Sequence, residues 1–214
     1  MPAGDVGQFF AQLPADATCV LFSAADTYTS SGDIVLPPSA LLIIDGRGCE
    51  LKLGPSSHGF TCGVHDQKDA TARLSSRYVI KDFAVIEGGR KAIDLQATLG
   101  SRVDNVKCVR QTEIAVDLRF CLMASLSGVF VTNPVEKGVV LREGDWPGAT
   151  WSNSQSNSSV LEQCRVYCGS TTTNAFTISN SGGISMRDCV SEGAPCDHDL
   201  FLSAVTGHDE QVPA

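Results

Sequence analysis

Between Tyr78 and Asn133 the chain repeats one local design. YVIKDFAVIEG, GSRVDNVKCVRQ and FCLMASLSGVFVTN each place apolar side chains on alternate positions, with a glycine or polar corner behind them. Alternation of period two sends successive side chains to opposite faces of a strand. Shorter alternating runs lie between these pieces, Ala92-Ile93-Asp94-Leu95 and Ile114-Ala115-Val116-Asp117-Leu118. The apolar-x-apolar cores align as Phe83/Val85, Val106/Cys108, Leu126 with Gly128-Val129, Cys164/Val166 and Met186/Cys189, at steps of 23, 20, 38 and 25 residues. A second set, Ile93, Ile114, Val139, Phe176 and Leu200, follows at a steady offset. A period in the twenties, built of strands with no helical spacing between them, predicts an all-β fold: a parallel β-helix solenoid rather than a leucine-rich repeat. A cysteine-rich β-sandwich is the competing architecture, and the regular coil length speaks against it.

Such a stack makes like residues pile up from one coil to the next. Cys108, Cys164 and Cys189 fall at or next to one rung position, where a thiol serves as a small apolar filler. Asp82, Asn105, Gln163 and Asp188 recur just before the core position, and short polar side chains at a corner can bond the turn backbone.

The chain has 214 residues, 43% hydrophobic and 19% charged, which predicts one globular domain and excludes a disordered chain. A formal net charge of −8 without a basic patch argues against nucleic acid as a partner. No apolar run is long enough to cross a bilayer, so no membrane partner is expected. The first residues, MPAGDVGQFFAQLPAD, lack the basic start and apolar core of a signal peptide. Synthesis in a cytosol is the expectation, which a virus particle released by lysis also satisfies. Nine cysteines then read as free, mostly buried thiols. Cys164 and Cys168 stand four apart, but no second pair or histidine sits at zinc spacing, so neither metal nor cofactor is expected.

Val6, Phe9, Phe10 and Leu13 share one helix face, with Asp5 to cap the start and Pro14 to stop the end. Residues 1–16 are therefore expected to form an N-terminal capping helix, 17–203 the β-helix, and 204–214 a polar tail. Strands are expected at Cys19–Phe22, Asp33–Leu36, Ala40–Ile44, Cys49–Leu53, Phe60–Val64 and Ala70–Leu74, the last two separated by a polar loop. The long step holds an insertion, Arg142 to Ser159, ending in the polar SNSQSNSS expected as a surface loop. It carries Trp146 and Trp151 with Glu143 and Asp145 alongside, a group that can stack a sugar ring or anchor a protein partner. The competing reading folds both indoles back onto the solenoid.

The run GDIVLPPSALLIIDGRGCELKL resembles the opening of right-handed β-helices of the pectate-lyase superfamily, and the coils after it are similar in style to those of phage tailspikes. The resemblance spans about Ala17 to Ser203 and implies a fold, and frequently a homotrimer, rather than an activity. Polysaccharide hydrolases of that family share an Asn-x-Asp, an Asp-Asp pair, a Gly-His-Gly and an Arg-x-Lys. Here no Asp-Asp pair occurs, Ser57-His58-Gly59 stands early in the chain, and Arg90-Lys91 are adjacent and so point to opposite sides of a strand. Asp82 and Asp104 remain as carboxylates that could stack one coil apart and act as acid and base. The leading expectation is a non-enzymatic attachment protein of a virion, from a bacteriophage, that self-assembles and contacts other virion proteins or host surface polysaccharide. The alternative is a polysaccharide lyase or glycoside hydrolase on the same scaffold. A glycan-binding module is the third reading.

Overall fold

The computed structural model describes residues 4–206 and 209–211, except for the side chains of Trp151 and of residues beyond Ser203. Helix α1, Val6–Ala11, precedes a succession of coils. The first coil is β1 (Cys19–Leu21), β2 (Thr27–Ser30) and β3 (Ile34–Val35); the second is β4 (Leu42–Asp45), β5 (Glu50–Leu53) and β6 (His58–Cys62). After helix α2 (Gln67–Arg73) come the two-strand coils β7 (Tyr78–Gly88) with β8 (Lys91–Leu99), and β9 (Arg102–Val109) with β10 (Ile114–Leu122). The fifth coil is β11 (Ser125–Ser127), β12 (Phe130–Thr132) and β13 (Lys137–Arg142). It is interrupted by α3 (Trp151–Ser154) and resumed by β14 (Ser156–Asn157). The sixth is β15 (Val160–Glu162), β16 (Arg165–Cys168) and β17 (Asn174–Gly182). Then follow β18 (Ser185–Arg187), β19 (Val190–Gly193), β20 (His198–Thr206) and β21 (Asp209–Gln211).

Pairing between the named strands is parallel throughout the described residues, and each strand pairs with its counterpart one coil away. The strands form two sheets, and the larger bends along a corner into two faces: β4 and β5 both pair with β7, and β11 and β12 both pair with β9. This is a parallel β-helix solenoid. The corner is made by Asp82, Asn105, Gly128, Gln163 and Asp188, all in the left-handed region with φ between 52° and 61°. Asparagine and aspartate tolerate that conformation better than other residues with a side chain, and Gly128 tolerates it freely. The polar recurrence in the sequence is thus a backbone requirement.

Inside, the rungs stack as the sequence predicts, with corrections of register. Phe83 faces Val106, but Cys108 faces Ile86 rather than Val85, because an irregularity between Phe83 and Ile86 shifts the pairing. Leu126 pairs with Val103 and Leu161, one face earlier than the Val106 column. The steps are therefore 23 residues from Val103 to Leu126 and 35 from Leu126 to Leu161. On the third face Val116, not Ile114, stands between Ile93 and Val139; Ile114 pairs with Lys137 two residues upstream. Cys164 and Cys189 fall in one column, between the pairs Glu162–Arg187 and Arg165–Val190, while Cys108 stacks with Val131 in the next. The thiols are free, and burial pushes Cys62 and Cys108 up to about 12, so both stay protonated filler.

The first coils hold an aromatic cluster. Phe22 meets Tyr28 and Phe83 edge-on at 4.9 and 5.2 Å, Phe60 lies 5.3 Å from Phe83, and Phe10 of α1 closes on Phe60 at 5.8 Å. Asp5 caps α1 by accepting from the Gln8 amide, and Val6 and Phe10 are buried. The short helix is the expected lid: it removes the end of the core from water, at roughly 1.5–3 kcal/mol for a buried phenylalanine.

Two segments differ from expectation. Ala70–Leu74 is not a strand but belongs to α2 and its C-cap, because Asp66 caps a helix by accepting from the Asp69 amide and Ala70 packs against the third face. The insertion's serines are not all on the surface: Ser152 and Ser158 are exposed, but Ser154, Ser156 and Ser159 are fully buried. Their hydroxyls serve the backbone: Ser156 accepts from the Cys121 amide and donates to the Arg142 carbonyl, and Ser159 accepts from the Ala124 amide. Regular pairing also continues past Ser203 through β20 and β21; residues 1–3, 207–208 and 212–214 of the expected terminal segments lie outside the described residues.

Candidate functional site

The bent sheet leaves a groove of about 730 Å³ along its polar corner, reaching from Asp45 and Arg47 past Asp82 and Asn105 to Lys107 and Phe130. Four successive coils supply these residues, so the groove runs along the solenoid axis. Each coil adds about 4.8 Å. Phe130 is half-buried, with the Lys107 ammonium 5.6 Å from its ring centre. An aromatic face, carboxylates, an amide and cations along one track suit a polyhydroxylated chain.

The two carboxylates expected to stack one coil apart are placed differently. Asp82 faces Asn105, whose Nδ2 donates to it at 2.8 Å; Asp104 faces Lys81 in the neighbouring outward column. Lys81 Nζ bridges Asp45 at 2.9 Å and Asp82 at 3.2 Å. Hydrogen bonding from Asn105, with help from Lys81, holds the Asp82 carboxyl below its ordinary value. Burial pushes Asp104 above its own, with the nearby Asp82 charge acting in the same direction and Arg102 against it. One carboxyl favours its anion and its neighbour retains a proton longer, which is the division a general base and a general acid need.

The insertion residues gather on the opposite flank. Trp146 is only 3% exposed: its ring lies 5.3 Å from Phe120 and its Nε1 donates to Gln67 Oε1 at 3.3 Å. It covers the flank rather than presenting an open ring to a sugar. Gly144 permits this, since a Cβ there would lie 1.8 Å from the indole. Asp145 points onto the third face and accepts from Arg119, Arg142 and Gln96. Glu143 is half-buried, with Oε2 inaccessible and without a hydrogen-bond partner. Trp151 begins α3, and its side chain lies outside the described residues.

Beneath Asp145 lies an ionic network that no motif in the sequence announces. Lys91 Nζ contacts Asp117 at 2.6 Å and Asp94 at 3.2 Å; Arg119 contacts Asp94 at 2.7 Å; Arg142 contacts Asp117 at 3.0 Å. Asp117 has no exposure, and burial alone would raise its pKa. Arg142 hydrogen bonds and the charges of Lys91 and Arg119 overcome that, and the carboxyl is held below its usual value. The available signal was Asp94 and Asp117 in matching places within two apolar runs. Here the repeated charge lies on a buried outer face, to which the insertion contributes Asp145.

Among the described residues no group of histidines, cysteines and carboxylates is arranged to hold a metal ion, and no helix is long and apolar enough to cross a membrane. No protein-family model and no curated protein matches the sequence. Among solved structures, a Parabacteroides merdae protein described as a "putative glycosyl hydrolase" is similar at TM-score 0.43 and 12% identity, over 89% of this chain and 81% of that one.

Proposed function

We propose that the chain acts on a polysaccharide laid along the corner groove, with Asp104 donating a proton to the glycosidic oxygen and Asp82 acting as base or nucleophile. The observation that carries this reading is the placement of Asp82 in the groove, held by Asn105, with Asp104 in the adjoining outward column one coil on. Asp104 in its acid form releases a proton to the departing oxygen. Ionised Asp82 takes a proton from the attacking water, or attacks the anomeric carbon itself. Asn105 of the next coil and Lys81 hold the Asp82 carboxyl in place, and Phe130 offers a stacking face two coils on.

The test is incubation with a panel of neutral and uronate-containing polysaccharides, reading new reducing ends; unsaturated uronate products would mark β-elimination instead and defeat the hydrolytic step. Asp104→Asn and Asp82→Asn should each lower the rate about 10²–10⁴-fold. Activity should form a bell on the acid side, bounded below by protonation of Asp82 and above by ionisation of Asp104. Absence of product across the panel, or product indifferent to both substitutions, defeats the reading.

A non-catalytic reading is favoured by the pairing of Asp82 with Lys81 and Asn105, which ties down the proposed base. In it the chain is a rigid attachment protein of a bacteriophage virion. It assembles as a homotrimer and holds host polysaccharide in the same groove without cutting it. Retention of polysaccharide without product, by a particle of trimer mass, would favour this second reading.

A further inference from the structure

The flank network has a charge balance that depends on Asp145. Lys91, Arg119 and Arg142 supply three positive charges; Asp94 and Asp117 supply two negative ones, and Asp145 completes the set. Arg119 is 9% exposed, and its Nε is inaccessible to water and without a hydrogen-bond partner. The Asp145 carboxyl, by contrast, is 44% exposed. Without it a buried cluster would carry an uncompensated cation, a costly state that draws in an anion. The donors that grip it come from three successive coils in register: Gln96 faces Arg119, and Arg119 faces Arg142. Gln96 and Arg119 donate to Oδ1 at 3.0 and 2.6 Å, and Arg142 to Oδ2 at 3.3 Å. That cradle reaches both oxygens of one carboxylate, with charge-assisted hydrogen bonds from two separate guanidinium groups.

We propose that Gln96, Arg119 and Arg142 form a second binding site, for a monocarboxylate group, which Asp145 occupies from within the chain. An external carboxylate exchanges with the Asp145 side chain, like for like in charge, by rotation of that half-exposed side chain into water while Trp146 stays seated. The site is separate from the corner groove and does not depend on the activity proposed there.

Chemical rescue tests this. Asp145→Ala removes the tethered carboxylate and leaves its space, whereas Asp145→Asn keeps the bulk without the charge. Melting is followed with added sodium acetate or with acetamide, its neutral counterpart, at constant ionic strength. Acetate should raise the melting temperature of Asp145→Ala saturably, by about 3 °C at tenfold excess over its dissociation constant. Acetamide should leave it unchanged, and Asp145→Asn should respond to neither. Equal responses of Asp145→Ala to acetate and acetamide overturn the proposal. Should that variant fold poorly, refolding yield is read instead: acetate should raise it several-fold over acetamide, and equal yields overturn the proposal equally.

Discussion

The corner groove and the third-face flank use the same chemistry to opposite ends. Each sets aspartates beside cations on successive coils of one solenoid. In the groove, Lys81 is shared between Asp45 and Asp82, and Asp104 has no ion pair within 4 Å among the described residues. On the flank, three cations and three carboxylates interlock, Asp145 of the insertion among them, and Asp117 is wholly buried. Coverage makes the difference. An outer face that is only partly covered leaves Asp82 and Asp104 displaced in opposite directions. An outer face under a roof must neutralise each charge it buries, and becomes part of the frame. The two sides of the molecule therefore differ in how far their charges are neutralised from within the chain.

The comparison breaks most readily at Asp117. Asp117→Asn leaves Lys91 and Arg142 facing a neutral amide in a dry site, and should cost about 3–5 kcal/mol in denaturant unfolding. The pH dependence follows from the lowered pKa of the native carboxyl. Its contribution is fully present above the unfolded value, near 3.9, and disappears as pH falls through the depressed native one. Wild-type protein should lose this increment in acid, whereas Asp117→Asn, with no proton to gain there, should not. A variant as stable as wild type would show that the flank is not a frame.

Removal of the roof comes next in size. Trp146→Ala takes the buried ring off Phe120, at a cost of about 3 kcal/mol. The effect should be on melting and on proteolysis within the insertion, with activity in the groove unchanged. A parallel loss of polysaccharide retention in folded protein would return the indole to the role that its place beside Asp145 suggests in the sequence.

The groove and the frame were unequally legible in the sequence. Strand alternation and coil length reveal the solenoid because both are imposed at every turn, and Asp82, Asn105, Gln163 and Asp188 mark the corner because the backbone there demands residues of their kind. Register slipped where strand length changes: the irregularity between Phe83 and Ile86 moves one column by a residue, and no composition signal marks it. Ala70–Leu74 reads as a strand because a short apolar run has no period of its own; the capping by Asp66 decides it. Serines look exposed in a string such as SNSQSNSS, yet three are buried: Ser156 and Ser159 bond the backbone where the insertion rejoins the coil, and Ser154 bonds the Thr150 carbonyl at the start of α3. The ionic network escapes a reading by motif because Lys91, Asp94, Asp117, Arg119 and Arg142 meet only once the coils are stacked.

The smallest expected effect is the sharpest contrast. Asp82→Asn preserves a side chain at ease with positive φ and removes only a solvent-facing ion pair with Lys81 and the charge accepting from Asn105. Its cost in stability should lie at about 0.2–1 kcal/mol, as for exposed pairs elsewhere. Set against Asp117→Asn, the same chemical change in the same fold then differs several-fold in stability, while the order reverses for turnover of a polysaccharide. If Asp82→Asn destabilises the chain as much as Asp117→Asn does, the corner is held by its charges rather than by its backbone. A residue needed that much for folding has little freedom to give and take a proton, and the groove would have to be read as a second frame.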